Sequence, residues 1–399
     1  MNNFSKSEKE IYELRKQKIS FFNDVSSKSF PTSFLGAVDI KEINNKHKDI
    51  GPGDHTGIEV LVKGRILQSR SFGKLSFFDL LDTTGKIQLL VDKSNMSKKE
   101  LSLFENYDSG DVIGVLGEVM KTKKGELSIK VKSSSILSKS LRALPEKWHG
   151  LKDKETRFRQ RYLDFIVNPE SKKTIETRSK IINLIRNFMQ SKGFIEVETP
   201  TLQPKAGGAI AKPFITHHNA LDFDMYLRIA PELYLKRLIV GGFERVFELG
   251  KVFRNEGIDQ THSPEFTMME SYEAYVDVNV VMDMVESMCL YIFDELGIEK
   301  NIKFMEKEAN FSGPWKRVSM YDLVSKKFKV NIKHDSDIKK VKNAIKKQVD
   351  TKPEAKTIGL LVYELFENYV EDDIISPTFV TDYPIEVSPF ARENKNKPG

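Results

Sequence analysis

Two segments of the chain, residues 243–256 and 266–272, concentrate the side-chain types that bind ligands and stabilise charge. A polar stretch separates them, and their apolar residues suit two strands joined by a loop. If the strands pair in antiparallel fashion, alternation places Phe266, Glu270 and Tyr272 on one face. That face then presents an aromatic ring, a carboxylate and a phenol side by side.

Two further side chains, Arg254 and His262, stand at the rim of this face in the same arrangement. Arg254 ends the first strand, and His262 belongs to the polar loop. A ring stacks on a base, a guanidinium fork binds a phosphate, and a carboxylate binds a cation, so the group suits a nucleotide beside a cationic ligand. An amphipathic hairpin whose polar face is merely hydrated has the same spacing, and spacing alone favours neither interpretation.

The composition is that of a folded protein of about two to three domains. The chain has 399 residues, of which 39% are hydrophobic and 30% charged, which argues against wholesale disorder. It has no long apolar run and begins with polar and charged residues, which predicts a cytoplasmic protein without a membrane segment. The single cysteine excludes an intramolecular disulfide and a multi-cysteine zinc site. The net charge of +6 permits a polyanionic partner without identifying one.

The first 57 residues predict a helix followed by a connector. Residues 7–22 begin with a Ser7-x-x-Glu10 capping box and continue with apolar residues at helical spacing. Residues 31–57 contain repeated glycine and proline, so little regular structure is expected there. We expect residues 1–57 to form an appendage without a catalytic role.

Residues 58–140 predict a small β-barrel. Apolar residues alternate with period two in five runs, and a helical stretch at 97–104 separates the third run from the fourth. This order is typical of an OB-fold, although small barrels of other topology give similar patterns. The runs are Ile58–Ile66, Leu75–Leu81, Ile87–Val91, Val112–Val119 and Glu126–Val131.

Residues 141–399 change to mixed helix and strand. One helix ends at Gly193, and another spans residues 280–296. Hairpin-like pairs dominate over regular strand–helix alternation, so the predicted fold class is α+β, with a mostly antiparallel sheet flanked by helices. Residues 331–357 predict a charged helix or a mobile surface insertion. Strands are predicted at residues 194–198, 225–230, 245–253 and 266–275.

The hairpin segment resembles motif 2 of the class II aminoacyl-tRNA synthetases. The resemblance rests on Phe253-Arg-Asn-Glu256 at the end of one strand, a variable loop, and Phe266 in the returning strand. Residues 193–202, a helix end and a strand closed by a proline, resemble motif 1 of this class. Within the class, the chain is similar to the lysyl-tRNA synthetases from about residue 55 to its last residues. The segments that carry this similarity are Leu141–Pro145, Trp148–Asp153, Arg159–Asp164, Ala206–Ala209, Arg228–Arg237 and Thr267–Glu270.

The resemblance implies an enzyme that uses ATP to convert L-lysine to lysyl-adenylate and transfers the lysyl group to the 3′ end of lysine tRNA. Arg254 and Glu256 are the implied catalytic residues, with Arg254 on the α-phosphate and Phe266 stacked on adenine. Two glutamates suit the lysine ammonium, which needs acceptors and negative charge when it is buried. No protein nucleophile is required, because positioning and charge neutralisation lower the barrier. The implied ATP-binding residues are Arg254, Glu256, His262 and Phe266, and the implied lysine-binding residues are Gly208, Glu232, Glu270 and Tyr272.

The same resemblance implies that the barrel is an anticodon-binding domain in which Arg70, Phe77 and Gln88 contact the tRNA. From the pattern alone, the favoured interpretation of Phe77 is an ordinary side chain of the barrel core. The neighbouring Phe78 lies on the opposite parity, so one of the two rings must face outward.

Two other patterns are set aside. Residues 95–99 are similar to the KMSKS loop of class I synthetases, but the partner motif of that class is absent and five common residues match easily by accident. His217 and His218 are adjacent, so in a strand they point to opposite sides and do not converge on a metal ion. No metal site is predicted from these residues.

The resemblance also implies parts that these 399 residues lack. The third class II motif, a glycine-rich strand and helix with an arginine for the ATP tail, is not present. The acidic ligands for Mg²⁺ belong to the same later section of the family. We therefore expect a sequence truncated before motif 3 that forms no complete ATP site by itself. A homodimer through the motif 1 region is also implied.

Three alternatives stay open. Aspartyl- and asparaginyl-tRNA synthetases share the barrel and the core, but they need basic or amide groups where Glu232 and Glu270 stand. A lysyl transferase that modifies a translation factor lacks the anticodon barrel that residues 58–132 predict. A truncated paralogue without catalysis would bind tRNA or dimerise and would not aminoacylate.

Overall fold

The computed structural model contains two compact units, residues 1–173 and residues 174–399. Within the ranges that it describes, no helix is both long and apolar enough to cross a membrane. The predicted domain boundary after residue 140 stays a prediction. The described residues are 6–25, 29–145, 151, 153–259, 262–304, 306–349 and 353–399.

The first helix, α1 (Lys6–Val25), packs on the barrel and is not the appendage that the sequence predicts. Phe22 is fully buried, and its ring stacks on that of Tyr107 with the centroids 5.4 Å apart. Arg15 donates hydrogen bonds to three backbone carbonyls of the barrel unit at 3.0–3.1 Å. The predicted capping box is wrong because Ser7 already lies inside the helix.

A second helix, α2 (Ile40–Lys46), lies in the region that the sequence predicts as an irregular connector. Ile40 and Ile43 are buried in the barrel core, and this burial stabilises a helix too short to be stable alone. The Asp82 carboxylate accepts a hydrogen bond from the Ile40 N–H at 2.9 Å, which satisfies a free donor of the first turn. The barrel residues that stabilise α2 are distant from it in sequence. The local glycine and proline content therefore gives the wrong prediction of an irregular connector.

The barrel strands are β1 (His55–Phe72), β2 (Leu75–Leu81), β3 (Lys86–Asp92), β4 (Val112–Lys121) and β5 (Leu127–Ser138). They close in the order β1-β2-β3-β5-β4, and the helix α3 (Lys98–Asn106) connects β3 to β4. Alternate apolar residues of each strand point inward; Val62, Leu80 and Leu89 are fully buried there. The predicted OB-fold is confirmed.

A buried ion cluster joins α1 to the barrel. The Lys139 side chain is 2% exposed; its Nζ lies 2.6 Å from an Asp111 oxygen and also pairs with Asp108. Lys18 of α1 reaches the other Asp108 oxygen at 2.8 Å. Burial raises the pKa of the Asp108 carboxyl, but hydrogen bonds from Lys139 and Lys18 outweigh this effect and hold the pKa below its usual value. The docking of α1 therefore depends on charges as well as on apolar packing.

The helices after the barrel are α4 (Lys154–Arg159), α5 (Arg161–Val167), α6 (Pro169–Ser191), α7 (Glu232–Val240), α8 (Val278–Leu296), α9 (Met320–Phe328), α10 (Ile338–Ile345) and α11 (Ile358–Tyr369). The strands after the barrel are β6 (Ile195–Glu196), β7 (Leu202–Gln203), β8 (Ile215–His218), β9 (Phe223–Leu227), β10 (Arg245–Phe253), β11 (Glu265–Glu273), β12 (Asn301–Phe304), β13 (Lys307–Asn310), β14 (Lys316–Ser319) and β15 (Thr378–Thr381). Short 3₁₀ turns lie at Glu371–Asp373 and Ile385–Val387.

The central pair of the second unit is the antiparallel hairpin of β10 and β11, to which β6 adds a short parallel neighbour. Phe247 of β10 is fully buried against Phe188 of α6 and Met288 of α8, so one face of the hairpin packs on these helices. The α8 helix covers the predicted helix of residues 280–296 and ends at Gly297 in a left-handed conformation. The predicted α+β class is confirmed, although β6 with β10 and β14 with β15 pair in parallel.

A separate apolar core lies among α9, α10 and α11. Val341 and Ile345 of α10 are buried in it, whereas Lys339, Lys340 and Lys346 are exposed. The prediction of a charged helix in residues 331–357 is therefore confirmed for the described part of that segment.

Candidate active site and nucleic-acid interface

The register of the β10–β11 hairpin brings the predicted site residues to one face. Phe266 pairs with Val252, Glu270 with Glu248, and Tyr272 with Val246. The opposite parity, which includes Phe247 and Met269, packs towards α6 and α8. The predicted alternation is confirmed. The apolar parity packs on helices, and the other parity carries the predicted site residues beside Val246, Glu248 and Val252, which are buried.

Arg254 lies over the ring of Phe266 at the open end of this hairpin. The guanidinium carbon is 5.2 Å from the ring centroid, and the Arg254 N–H donates to the Pro264 carbonyl at 2.9 Å. The Nε of Arg254 is buried and has no hydrogen-bond partner among the described residues. The guanidinium is thus placed by the backbone and the ring while part of its donor set stays free for an anion.

Glu270, Tyr272 and Glu232 form an acidic group further along the same face. The Tyr272 hydroxyl donates to Glu270 Oε2 at 3.3 Å. Burial and the nearby Glu232 and Glu248 carboxylates raise the pKa of Glu270, although the Tyr272 hydrogen bond and the charge of Arg254 act in the opposite direction. Burial also raises the pKa of Tyr272, so its phenol stays protonated and remains a donor. A cation bound here would relieve the repulsion between the carboxylates.

Gly208 lies directly against Glu232, which is the first residue of α7. Its φ is +87°, and a Cβ at this position would lie 2.9 Å from Glu232 Cβ and 3.2 Å from Ala230 Cβ. Only glycine combines this left-handed conformation with such close approach. Glu232 also pairs with Lys236 one turn later on α7. The predicted Gly208 and Glu232 therefore come together in the structure.

Arg228 and Glu248 are two residues of this face to which the sequence assigns no role. They form a buried ion pair, and each side chain is 5% exposed. Arg228 Nε donates to the Lys251 carbonyl at 2.8 Å, and a Cβ on Gly250 would lie 2.5 Å from Arg228 Nη2. Glu248 has the same parity as Glu270 through the strand pairing, which is the signal that could have indicated it.

Two predicted residues, Glu256 and His262, lie outside this group. Glu256 is exposed where the chain leaves β10. The His262 Nδ1 pairs with Asp259 Oδ2 at 2.7 Å, and both side chains are more than half exposed. The structure places them in the loop of the hairpin, and their predicted approach to a nucleotide stays a prediction.

The barrel brings Arg70, Phe77 and Gln88 to neighbouring strands of its outward face. Arg70 of β1 pairs with Phe77 of β2, and Gln88 of β3 accepts a hydrogen bond from Ser128 at 3.0 Å. Phe78, and not Phe77, belongs to the buried core. The interpretation of Phe77 as a core side chain is wrong because the pleat directs its neighbour inward.

A buried carboxylate lies among these residues. Asp79, two residues after Phe77 and on the same parity, is 2% exposed. Its Oδ1 accepts from Arg70 Nη2 at 3.3 Å, and Lys86 Nζ lies 2.9 Å from its Oδ2. Asp79 thus holds two basic side chains on the outward face of the barrel.

In the described ranges, no three His, Cys, Asp or Glu side chains come together to hold a metal ion. The Mg²⁺ that the family resemblance implies stays a prediction.

Both sites lie within matches to known families. Residues 153–398 match the family described as tRNA synthetases class II (D, K and N). Residues 60–137 match the OB-fold nucleic acid binding domain. The chain therefore belongs to the class II tRNA synthetases of the D, K and N group, with a nucleic-acid-binding OB-fold ahead of the synthetase domain.

Similarity to curated proteins places the chain in one family within this class. A lysine–tRNA ligase of Prochlorococcus marinus (strain MIT 9211) is 46% identical over 366 residues, which cover 89% of this chain and 73% of that protein. One of Clostridium perfringens (strain ATCC 13124) is 44% identical over 396 residues, covering 98% and 77%. One of Clostridium tetani (strain Massachusetts / E88) is 48% identical over 343 residues, covering 85% and 68%. Within the class, the chain belongs to the lysine–tRNA ligase family, a family of enzymes.

Proposed function

We propose that the chain takes part in ATP-dependent activation of L-lysine to lysyl-adenylate and transfer of the lysyl group to the 3′ end of lysine tRNA. The observation that carries this proposal is the half-buried acidic group of Glu232, Glu270 and Tyr272 beside the Gly208 backbone. The relatives that share most of this chain are lysine–tRNA ligases, which supports the same substrate.

The acidic group suits a lysine side chain for electrostatic reasons. The ammonium is a compact cation with three donors, and Glu232 and Glu270 supply acceptors and opposite charge. The pKa of Glu270 is raised because burial and the neighbouring Glu232 and Glu248 carboxylates outweigh the Tyr272 hydrogen bond and the charge of Arg254. Aspartate or asparagine would leave these carboxylates unpaired or repelled, so the site discriminates against the substrates of the other two members of the group.

The nucleotide lies at the Arg254 end of the hairpin in this proposal. Phe266 provides a ring for adenine, and Arg254 holds the α-phosphate, with Glu256 and His262 of the loop close to the nucleotide. The free Nε of Arg254 and its position over Phe266 support this arrangement. Arg254 would then neutralise charge that develops on the phosphate oxygens in the transition state.

The first step is an in-line displacement at the α-phosphorus of ATP. A lysine carboxylate oxygen forms the new P–O bond, and the bond from the α-phosphorus to the oxygen bridging to the β-phosphate breaks. Pyrophosphate leaves with that electron pair. The tRNA 3′ hydroxyl then attacks the carbonyl carbon of the adenylate, loses its proton and displaces AMP. The side chains named here position the substrates and neutralise charge, and none of them forms a covalent bond.

The barrel binds the anticodon in this proposal through Arg70, Phe77 and Gln88. The half-buried ring of Phe77 stacks on a base, the guanidinium contacts phosphate or base, and the amide reads a base edge. The OB-fold match and the outward position of Phe77 support this role.

We also propose a homodimer through residues 193–202, the motif 1 region. Ile195 and Leu202 are large apolar side chains there that are exposed in the single chain, which supports a covering partner. Sedimentation of an Ile195→Asp variant as a monomer, beside a dimeric parent, is the expected result, and an unchanged dimer would contradict it.

The substrate is tested by calorimetric titration of the protein with lysine, aspartate and asparagine. We expect binding of lysine alone, and Glu270→Gln to weaken it by about 10- to 100-fold. Glu265→Gln is the matched control because Glu265 lies on the same strand in an exposed pair with Lys251. Binding of aspartate in preference to lysine would overturn the assignment.

Activation is tested in the same samples by lysine-dependent exchange between ATP and pyrophosphate. Exchange that requires lysine supports the complete proposal and would contradict the expectation that these residues form no complete ATP site by themselves. Binding of lysine and tRNA without exchange or aminoacylation would instead support the alternative of a non-catalytic binding protein.

A further inference from the structure

The outward face of the barrel continues beyond Phe77 to a second ring, Phe72. Phe72 ends β1, where it pairs with Leu75, and it is 66% exposed. The two ring centroids are 6.2 Å apart, with an angle of 63° between the ring planes. Arg70 and Phe72 share one parity of β1, and their partners Phe77 and Leu75 share one parity of β2. The rings therefore form one continuous outward surface.

Phe72 contacts the Phe77 ring but lies outside the barrel core. The buried cluster of the barrel and its partly buried neighbours do not include Phe72. A phenylalanine that is 66% exposed contributes little to the stability of the fold, so a ligand that covers the exposed part gains free energy from its burial.

The charge around Phe72 favours a polyanion. Arg70 is half-exposed, and Lys74 is exposed in the turn that follows Phe72. Two carboxylates of the neighbouring strands offset part of this charge. Asp79 pairs with Arg70 and Lys86, and Asp92 accepts hydrogen bonds from the Ser94 N–H and the Asn95 amide in its own turn. The three basic side chains outnumber the two carboxylates by one, so a phosphate backbone that follows this face meets a small net positive charge.

We propose that Phe72 is a second stacking platform, which binds a nucleobase of the tRNA anticodon loop next to the base on Phe77. The inference rests on the proposed anticodon-binding role of the barrel and extends it by one nucleotide contact. Because the rings are inclined at 63°, bases stacked on both cannot stack on each other. The surface therefore selects single-stranded RNA whose neighbouring bases are splayed apart, and it excludes a duplex.

The first test compares variants of the full chain in equilibrium binding to lysine tRNA and to its anticodon stem-loop. Phe72→Ala is expected to weaken both affinities by about 5- to 100-fold, the usual range for one stacked base. Phe72→Tyr, which keeps the ring, is expected to stay within about 2-fold of the parent. Phe304→Ala is the matched control, since Phe304 is also about half-exposed but lies in β12. The slope of affinity against salt should not change, because Phe72→Ala removes no charge.

The second test locates the base. Stem-loops with a single abasic nucleotide are titrated with the parent protein and with Phe72→Ala. The base that stacks on Phe72 is the one whose removal and the Phe72→Ala substitution cause losses of affinity that are not additive. At a different nucleotide, removal of the base is expected to be non-additive with Phe77→Ala. Additive losses with Phe72→Ala at every position would overturn the proposal.

The failure of this inference is distinguishable from failure of the proposed function. If Phe72→Ala binds like the parent while Phe77→Ala and Arg70→Ala bind weakly, Phe72 is not a platform and the anticodon role of the barrel stands. If neither Phe77→Ala nor Arg70→Ala weakens binding, the anticodon role itself falls and the inference with it. If Phe72→Ala weakens binding of a stem-loop and of the same stem as a perfect duplex equally, the selection of splayed bases is refuted.

Discussion

The guanidinium of Arg228 pairs with the carboxylate of Glu248, and both side chains are buried on the face of the hairpin that carries Glu270. Glu248 also accepts a hydrogen bond from the Thr199 hydroxyl at 2.6 Å. The pair therefore joins the segment after the motif 1 strand, the strand end at Arg228 and the hairpin. The acidic group that we assign to lysine is built on this junction.

Glu248→Gln should destabilise the synthetase unit by about 3–5 kcal/mol, because it leaves the charge of Arg228 buried without a counter-charge. Urea unfolding monitored by circular dichroism measures the change. Glu265→Gln breaks the exposed pair with Lys251 and should cost about 0–1 kcal/mol. Equal losses in the two variants would show that burial of the Arg228 pair does not matter.

On acidification, the affinity for lysine should begin to fall at a higher pH than it would if Glu270 had the pKa of an ordinary glutamate. The carboxylate of Glu270 attracts the ammonium only when it is ionised, and burial raises its pKa. Affinity is thus full above the raised pKa and is lost as the pH falls through it. Titration from neutral pH to about pH 5 should show this loss in the parent and a flatter profile in Glu270→Gln. A flat profile in the parent would contradict the role of Glu270.

In the ligand-free protein, ionisation of Glu270 should have the opposite effect. It strengthens lysine binding but lowers the stability of the fold. The folded state holds the Glu270 proton more tightly than the unfolded chain does, so this carboxyl opposes folding at neutral pH and its cost declines as the pH falls. Glu270→Gln should therefore leave the ligand-free protein as stable as the parent or more stable at neutral pH. A marked loss of stability would show that Glu270 is structural.

Arg254→Lys should weaken ATP binding by about 10- to 100-fold although it keeps the positive charge. A lysine loses both the planar fork and the flat contact with the Phe266 ring. Calorimetric titration with ATP measures the effect. Arg245→Lys, at the other end of β10 in a pair with Glu273, is the matched control and should bind ATP normally.

Gly208→Ala should reduce lysine affinity with little effect on ATP binding. The new Cβ would contact Glu232 and Ala230, and the residue would hold a left-handed conformation that alanine disfavours. Gly257→Ala is the control, because its Cβ would meet open space at an ordinary φ. Normal lysine binding by Gly208→Ala would show that the Gly208 backbone does not form part of the lysine pocket.

Lys139→Ala should loosen the docking of α1 on the barrel and destabilise this unit by about 3–5 kcal/mol. Two carboxylates, Asp108 and Asp111, would lose their buried partner. Thermal unfolding and protease sensitivity of α1 measure the effect. Lys132→Ala breaks an exposed pair with Glu59 and should leave both properties unchanged.

The hairpin was predictable because its signal is local. Alternation over a single run fixes the shared face of Phe266, Glu270 and Tyr272, and the resemblance supplies candidate roles. Alternation also shows that Phe77 and Phe78 face opposite ways. It does not say which of them points inward, because that depends on how the barrel closes around its core.

Other features depend on contacts that no local pattern contains. The burial of Ile40 and Phe22 requires the finished barrel, so α1 and α2 read as peripheral in the sequence. The pairing of Arg228 with Glu248 requires two segments 20 residues apart to meet. Isolated charged residues in a strand look like surface positions until their partner is known.

The glycine at position 250 gives the hairpin a rigidity that its side chains alone would not. Arg228 fills the space that any Cβ there would occupy, so separating the strands would expose two opposite charges at once. The amide hydrogens in the middle of β10 should accordingly exchange only when the whole unit unfolds. An incoming substrate then meets strands that are already in place, and little of its binding free energy is consumed in ordering them.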